Sequence, residues 1–150
     1  MKVALAADHA GFEEKEKIKK TLDAIGVEYT DMGTDSFESV DYPDFAKKVG
    51  EAVASGEYER GLLVCGSGTG MAIAANKVPG IRAAVAWNEE IARLARKHND
   101  ANVLSLAARY IPEDEQDKIV RAFLSSDFEA GRHERRVEKI TQIEKDDLTK

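Results

Sequence analysis

Gly61-Leu62-Leu63-Val64-Cys65-Gly66-Ser67-Gly68-Thr69-Gly70 decides the fold. Gly61–Val64 carries no polar side chain, the pattern of a strand buried on both faces as in a parallel sheet. The glycines at 66, 68 and 70 then let the chain turn tightly into a helix from about Thr69 to Lys77, which Val78-Pro79-Gly80 ends. Strand, glycine turn and helix form the opening of a βαβ unit, and the rest of the chain repeats the alternation.

Upstream, Lys2–Ala7 reads as a strand. Phe12–Ile25 follows as a helix with Ile18, Leu22 and Ile25 on one face and Gly26 just beyond it. Val27–Thr30 is a short strand. Pro43 opens a helix in which Phe45, Val49 and Val53 recur every fourth residue until Ser55-Gly56. Downstream, Arg82–Ala86 and Asn102–Leu106 read as strands around a helix, Glu89–His98, that turns Ile91, Leu94 and Ala95 inward. Pro112 starts another helix with Ile119, Val120, Phe123 and Leu124 as its buried stripe. A highly charged helix from about Arg132 to Lys150 sets Val137, Ile140 and Ile143 three apart. The pattern predicts one domain over residues 1–150, with no linker. It is a three-layer α/β/α sandwich around a five-stranded parallel, Rossmann-like sheet, with an extended C-terminal helix. Periodicity does not give the strand order.

Composition narrows the function. The 150 residues are 43% hydrophobic and 33% charged, enough for a core that needs no disulfide or metal staple. A net charge of −6 argues against a nucleic-acid partner, so an anionic ligand must be met by a local basic cluster. Cys65 is the single cysteine, which excludes an internal disulfide and a cysteine zinc cluster. No apolar run is long enough for a membrane span. The short run Val3–Ala7, ended by Asp8, is no secretory signal, so the expected address is cytoplasmic.

In parallel α/β sheets ligands bind beyond the carboxyl ends of the strands. That rule selects Asp8–Gly11, Cys65–Gly70 and the surroundings of Trp87-Asn88. The amides of the Cys65–Gly70 loop can converge on a phosphate or a developing oxyanion, although a tight turn also needs small residues. The loop has no Walker lysine, since Met71 follows Gly70, and its glycine spacing is not the full dinucleotide fingerprint. Cys65, beside those dipoles, is either a base or nucleophile with a favoured thiolate, or a small residue closing a strand. Asp8-His9 offers proton transfer and an anion donor, or a helix-capping turn. His98 complements a helix dipole or acts chemically. Arg132, His133, Arg135 and Arg136 crowd the first turn of the last helix, where the dipole opposes positive charge. A phosphate explains that placement; pairing with Glu129, Glu134 and Glu138 is the plainer alternative. Arg109, after the last strand, is a further donor.

Taken together, these segments resemble the type B ribose-5-phosphate isomerases, relatives of the galactose-6-phosphate and allose-6-phosphate isomerases. The resemblance spans nearly the whole chain. It rests on Ala7-Asp8-His9-Ala10-Gly11, Asp41-Tyr42-Pro43, the Cys65–Gly70 loop with Ala74-Ala75-Asn76-Lys77, Gly80-Ile81-Arg82-Ala83, His98-Asn99-Asp100-Ala101-Asn102-Val103-Leu104, and Gly131-Arg132-His133 with Arg136-Val137. It implies aldose–ketose isomerisation of a sugar phosphate through a cis-enediolate, without metal or organic cofactor. Cys65 matches the family's base. The loop Gly66, Ser67, Gly68, Thr69 and Gly70 would hold the enediolate oxygen. His98, partnered by Asp8, would act as acid in ring opening, and Asn99 and Tyr42 would orient hydroxyls. His9, Arg109, Arg132 and Arg136 would hold the phosphate.

Ser67 stands where many members carry threonine, and Cys65 sets the chain apart from relatives that place another base elsewhere. One chain holds the whole residue set, unlike the two-subunit galactose-6-phosphate enzymes. The resemblance implies a homodimer or homotetramer whose sites are shared between subunits, with the tail helix, about 132–150, as the candidate for the contact. Ribose 5-phosphate is the expected substrate, with allose 6-phosphate or a rare aldose as the alternative. A Cys65–His98 thiol hydrolase and a non-catalytic phosphosugar or nucleotide sensor are the competing classes.

Overall fold

A computed structural model describes residues 1–149. The end of the expected tail helix, Lys150, lies outside them. Eleven elements follow one another: β1 (Lys2–Ala7), α1 (Phe12–Ala24), β2 (Glu28–Asp31), α2 (Tyr42–Ala54), β3 (Arg60–Cys65), α3 (Thr69–Ala75), β4 (Ala83–Val85), α4 (Glu89–Asn99), β5 (Val103–Ala107), α5 (Glu113–Ser125) and α6 (Gly131–Leu148). All strand pairs are parallel, and the order is β2-β1-β3-β5-β4. The five strands and the C-terminal helix are those expected from the sequence.

Alternation along the strands divides the core into two layers. Val3, Leu5, Leu62, Val64, Leu104 and Leu106 pack with Ile18, Leu22, Ile119 and Phe123, which places α1 and α5 on one face. Ala4, Ala6, Leu63 and Cys65 pack with Val49, Val53, Met71 and Ala75, which places α2 and α3 on the other. Each fully buried leucine or isoleucine contributes about 1.5–3 kcal/mol. Glu14, 8% exposed on the inner side of α1, is one of several buried charged residues, with Lys15 at 0% and Arg96 at 3%. Burial raises its carboxyl to about 7, opposed by Lys17 and reinforced by Glu113 and Glu13.

Small boundary differences have local causes. α3 stops at Ala75 because the Asn76 side chain bonds both backbone groups of Ala83 (2.8 and 3.0 Å). β4 begins one residue late because the Arg82 N–H is taken by the Asn102 side chain at 2.8 Å. α6 has no buried residue, and Ile140, Ile143 and Leu148 are 46%, 63% and 65% exposed. Among the described residues, no helix is long and apolar enough to cross a membrane.

The chain turns outward from β1 to β2, then passes back across β1 to β3. The topological switch point therefore lies between β1 and β3, at the carboxyl ends where Ala7 pairs with Val64.

Candidate active site

Beyond that switch point opens a cleft of about 260 Å³, lined by Asp8, His9, Ala10, Tyr42, Cys65, Gly66, Ser67, Gly70, Arg109 and Tyr110. Cys65 ends β3 and is 4% exposed. The Gly68 N–H donates to its sulfur at 3.1 Å. Gly68 can do so because its φ is +78°, a conformation that side-chain-bearing residues rarely adopt. Its carbonyl accepts the buried Ser105 hydroxyl at 2.6 Å, so this residue is held from β5 while its amide points at the sulfur.

The neighbouring loops are joined to this one. Ala108 and Arg109 donate their N–H groups to the Cys65 and Gly66 carbonyls (2.9 and 3.1 Å). The Arg109 side chain lies across Gly66, where a Cβ would sit 3.3 Å from its Cδ and Nη1. Tyr42, at the start of α2, rests its ring on Gly70, where a Cβ would come within 2.5 Å of Cε1. Ser67 is exposed, and its hydroxyl accepts weakly from the Thr69 N–H at 3.4 Å. Asp8, 8% exposed, accepts the Gly11 N–H on Oδ1 at 3.0 Å, leaving Oδ2 without a hydrogen bond among the described residues. His9 Nδ1 accepts the Val40 N–H at 3.1 Å, so the neutral ring carries its proton on Nε2.

His98, Asn99, Arg132 and Arg136 are not brought to this cleft. His98 and Asn99 close α4, which runs back to the amino ends of the strands. The register pairs Gly61 with Val103 and Cys65 with Ala107, so about 13 Å of strand separates the two ends. The expected Asp8–His98 partnership is therefore absent within one chain. Instead His98 stacks on His133, with ring centroids 4.1 Å apart and planes at 15°. Desolvation, then His98, Arg132 and Arg136, hold the His133 pKa below the ordinary histidine value, with Glu129 opposing. Asn99 lines a second groove with Ile140 and Ile143. Among the described residues, Arg132, Arg135 and Arg136 make no intrachain ion pair, and Glu129 pairs with Lys97 at 3.7 Å. The acidic neighbours thus leave the basic cluster at the start of α6 unneutralised.

Sequence reasoning missed three contributors. Tyr110, 77% exposed, lines the cleft beside Arg109; its adjacency to Arg109 was the available signal. Ser105 was detectable as the one hydroxyl in the apolar run Val103–Ala107. The Val40 amide that orients His9 has no side-chain signature.

The comparisons with known proteins agree with one another. A family model described as Ribose/Galactose Isomerase matches residues 3–140. The ribose-5-phosphate isomerase B of Escherichia coli is 48% identical over 143 residues, covering 95% of this chain and 96% of the relative. The solved ribose-5-phosphate isomerase B of Clostridium thermocellum superposes with a TM-score of 0.96 at 51% identity, over 97% of this chain and 99% of that one. The Mycoplasma genitalium ribose-5-phosphate isomerase B, solved with bound ribulose-5-phosphate, gives 0.93 at 42% identity over 96% of both chains.

Proposed function

This chain belongs to the ribose/galactose isomerase family, and on that premise we propose that it interconverts D-ribose 5-phosphate and D-ribulose 5-phosphate. The observation that carries the reading is the Cys65 sulfur facing the Gly68 amide, in one cleft with Asp8, His9, Tyr42 and Arg109.

In the proposed reaction an acid protonates the furanose ring oxygen while the anomeric hydroxyl loses its proton, which opens the aldehyde. Cys65 thiolate then takes the C2 proton. The C–H electrons form the C1–C2 double bond, and the O1 carbonyl becomes an oxyanion. The cysteine returns its proton to C1 as the O2 proton passes to O1, giving the ketose with no net change in the enzyme. In this reading the amides of the glycine loop and the Ser67 hydroxyl hold the oxyanion, the interaction with the greatest leverage on rate. Tyr42 orients sugar hydroxyls, and His9 and Arg109 meet the phosphate.

A second copy of the chain completes the site in this reading. His98 for ring opening, Asn99 for the hydroxyls, and Arg132 and Arg136 for the phosphate sit at the far end of the sheet, too distant to serve their own Cys65. The solvent-facing α6 and its apolar Ile140, Ile143 and Leu148 support a homodimer, or a tetramer built from it, with this helix at the contact. A cytoplasmic setting, which keeps Cys65 reduced, belongs to the same proposal.

The test is Cys65→Ala assayed for isomerisation and for C2-proton exchange in deuterated water. Loss of both, with sugar-phosphate binding retained, is expected; turnover at the parent rate would overturn the assigned base. A panel of five- and six-carbon aldose phosphates ranks ribose 5-phosphate against allose 6-phosphate.

A further inference from the structure

Three side chains able to ligate a metal meet where α4 ends and α6 begins: His98, Glu129 and His133. One donor atom of each lies within 4.8 Å of the other two. The backbone fixes this triangle. The Glu129 N–H donates to the Lys97 carbonyl at 3.1 Å, and the His133 N–H donates to the Ala130 carbonyl at 2.9 Å. The end of α4, the connector and the first turn of α6 are thereby tied together around the three donors.

We propose that His98, Glu129 and His133 form a binding site for a borderline divalent cation of the Zn²⁺ class. Two imidazole nitrogens and one carboxylate oxygen suit such an ion, with the fourth position open to water. A single carboxylate supplies too few oxygens for Mg²⁺ or Ca²⁺. Metal–ligand bonds of about 2.0–2.2 Å place tetrahedral donors roughly 3.4 Å apart, so a pair at the 4.8 Å limit must close by roughly 1.4 Å. One imidazole must also leave the stack, because a metal lies in the plane of each ring that binds it. Both adjustments fall to rotation of the half-buried His133 ring and the exposed Glu129 side chain. The competing Glu129–Lys97 ion pair is solvent-exposed and weak.

The ion is an inhibitor here and not a cofactor. It occupies the His98 nitrogen that ring opening needs, so it competes with the sugar phosphate. This consequence rests on the proposed function; the binding itself does not.

Co²⁺, whose visible d–d absorption reports tetrahedral coordination, is titrated into Cys65→Ala protein so that no thiolate can serve as ligand. Saturation at one ion per chain and displacement by Zn²⁺ are expected. Glu129→Gln and His133→Ala should each weaken binding by about tenfold or more. No tetrahedral signal, or affinity unchanged in both variants, overturns the site. In the parent enzyme Zn²⁺ should inhibit competitively with substrate, while Glu129→Gln keeps its basal activity and resists. Co²⁺ binding as expected without inhibition would uphold the site and overturn both the competition and the role given to His98.

Discussion

Replacing Glu14 by glutamine should stabilise the protein at alkaline pH and leave it unchanged in acid. The carboxyl lies on the inner side of α1 against the acidic start of α5, and burial with Glu113 raises its pKa from 4.5 to about 7. The folded state therefore binds the proton more tightly than the unfolded chain. Below 4.5 both states are protonated and the group is neutral in effect; as pH rises towards 7 the unfolded chain releases its proton first, and stability falls. The full shift corresponds to roughly 3 kcal/mol. Solvent screening from the open groove beside it reduces this, and about 1–3 kcal/mol is expected. Glutamine keeps the shape of the neutral acid and has no proton to lose. Urea unfolding at fixed protomer concentration, at pH 4.5 and pH 8.5, reads the difference directly. A stability change of equal size at both pH values would refute the buried-carboxyl reasoning.

Ser105→Ala removes the hydroxyl donor to the buried Gly68 carbonyl, which keeps only the Ala72 N–H at 3.2 Å, an expected cost of about 0.5–1.5 kcal/mol, and kcat should fall more than KM changes because the Gly68 amide no longer holds its place at Cys65. Unaltered kcat would separate the clamp from the chemistry. Arg132→Ala removes a charged donor for the phosphate, equivalent to about 1.5–3 kcal/mol, so KM for ribose 5-phosphate should rise on the order of ten- to a hundredfold with little change in melting temperature. An unmoved KM would remove Arg132 from the site and weaken the case for a shared one.

The Cys65–Gly70 loop was legible because each part has a local signature: an apolar strand before it, glycines within it and a helix after it. Strand order was not, since β4 and β5 are both short and apolar, and only packing places Val103–Ala107 inside with Ala83–Val85 at the edge. The orientation of His9 depends on a backbone amide in the irregular stretch before α2, which no side-chain pattern reveals. The separation of His98 and Asn99 from the Cys65 cleft follows from a simple rule of direction. In a βα unit the end of the helix returns to the amino side of the sheet, so His98 and Asn99 cannot lie beside residues that close β1 and β3. Resemblance gathers such residues into one set and is blind to which end of the sheet carries each.

The hydroxyl that clamps Gly68 arrives 37 residues after it, on the last strand to be synthesised. On the ribosome Cys65 emerges well before β5 can slot between β3 and β4. A nascent chain halted short of Ser105 carries its thiol without the fixed amide of the finished protein. Assembly of the Cys65–Gly68 contact is thus tied to completion of the sheet, and a truncated translation product has the sulfur but not its amide partner.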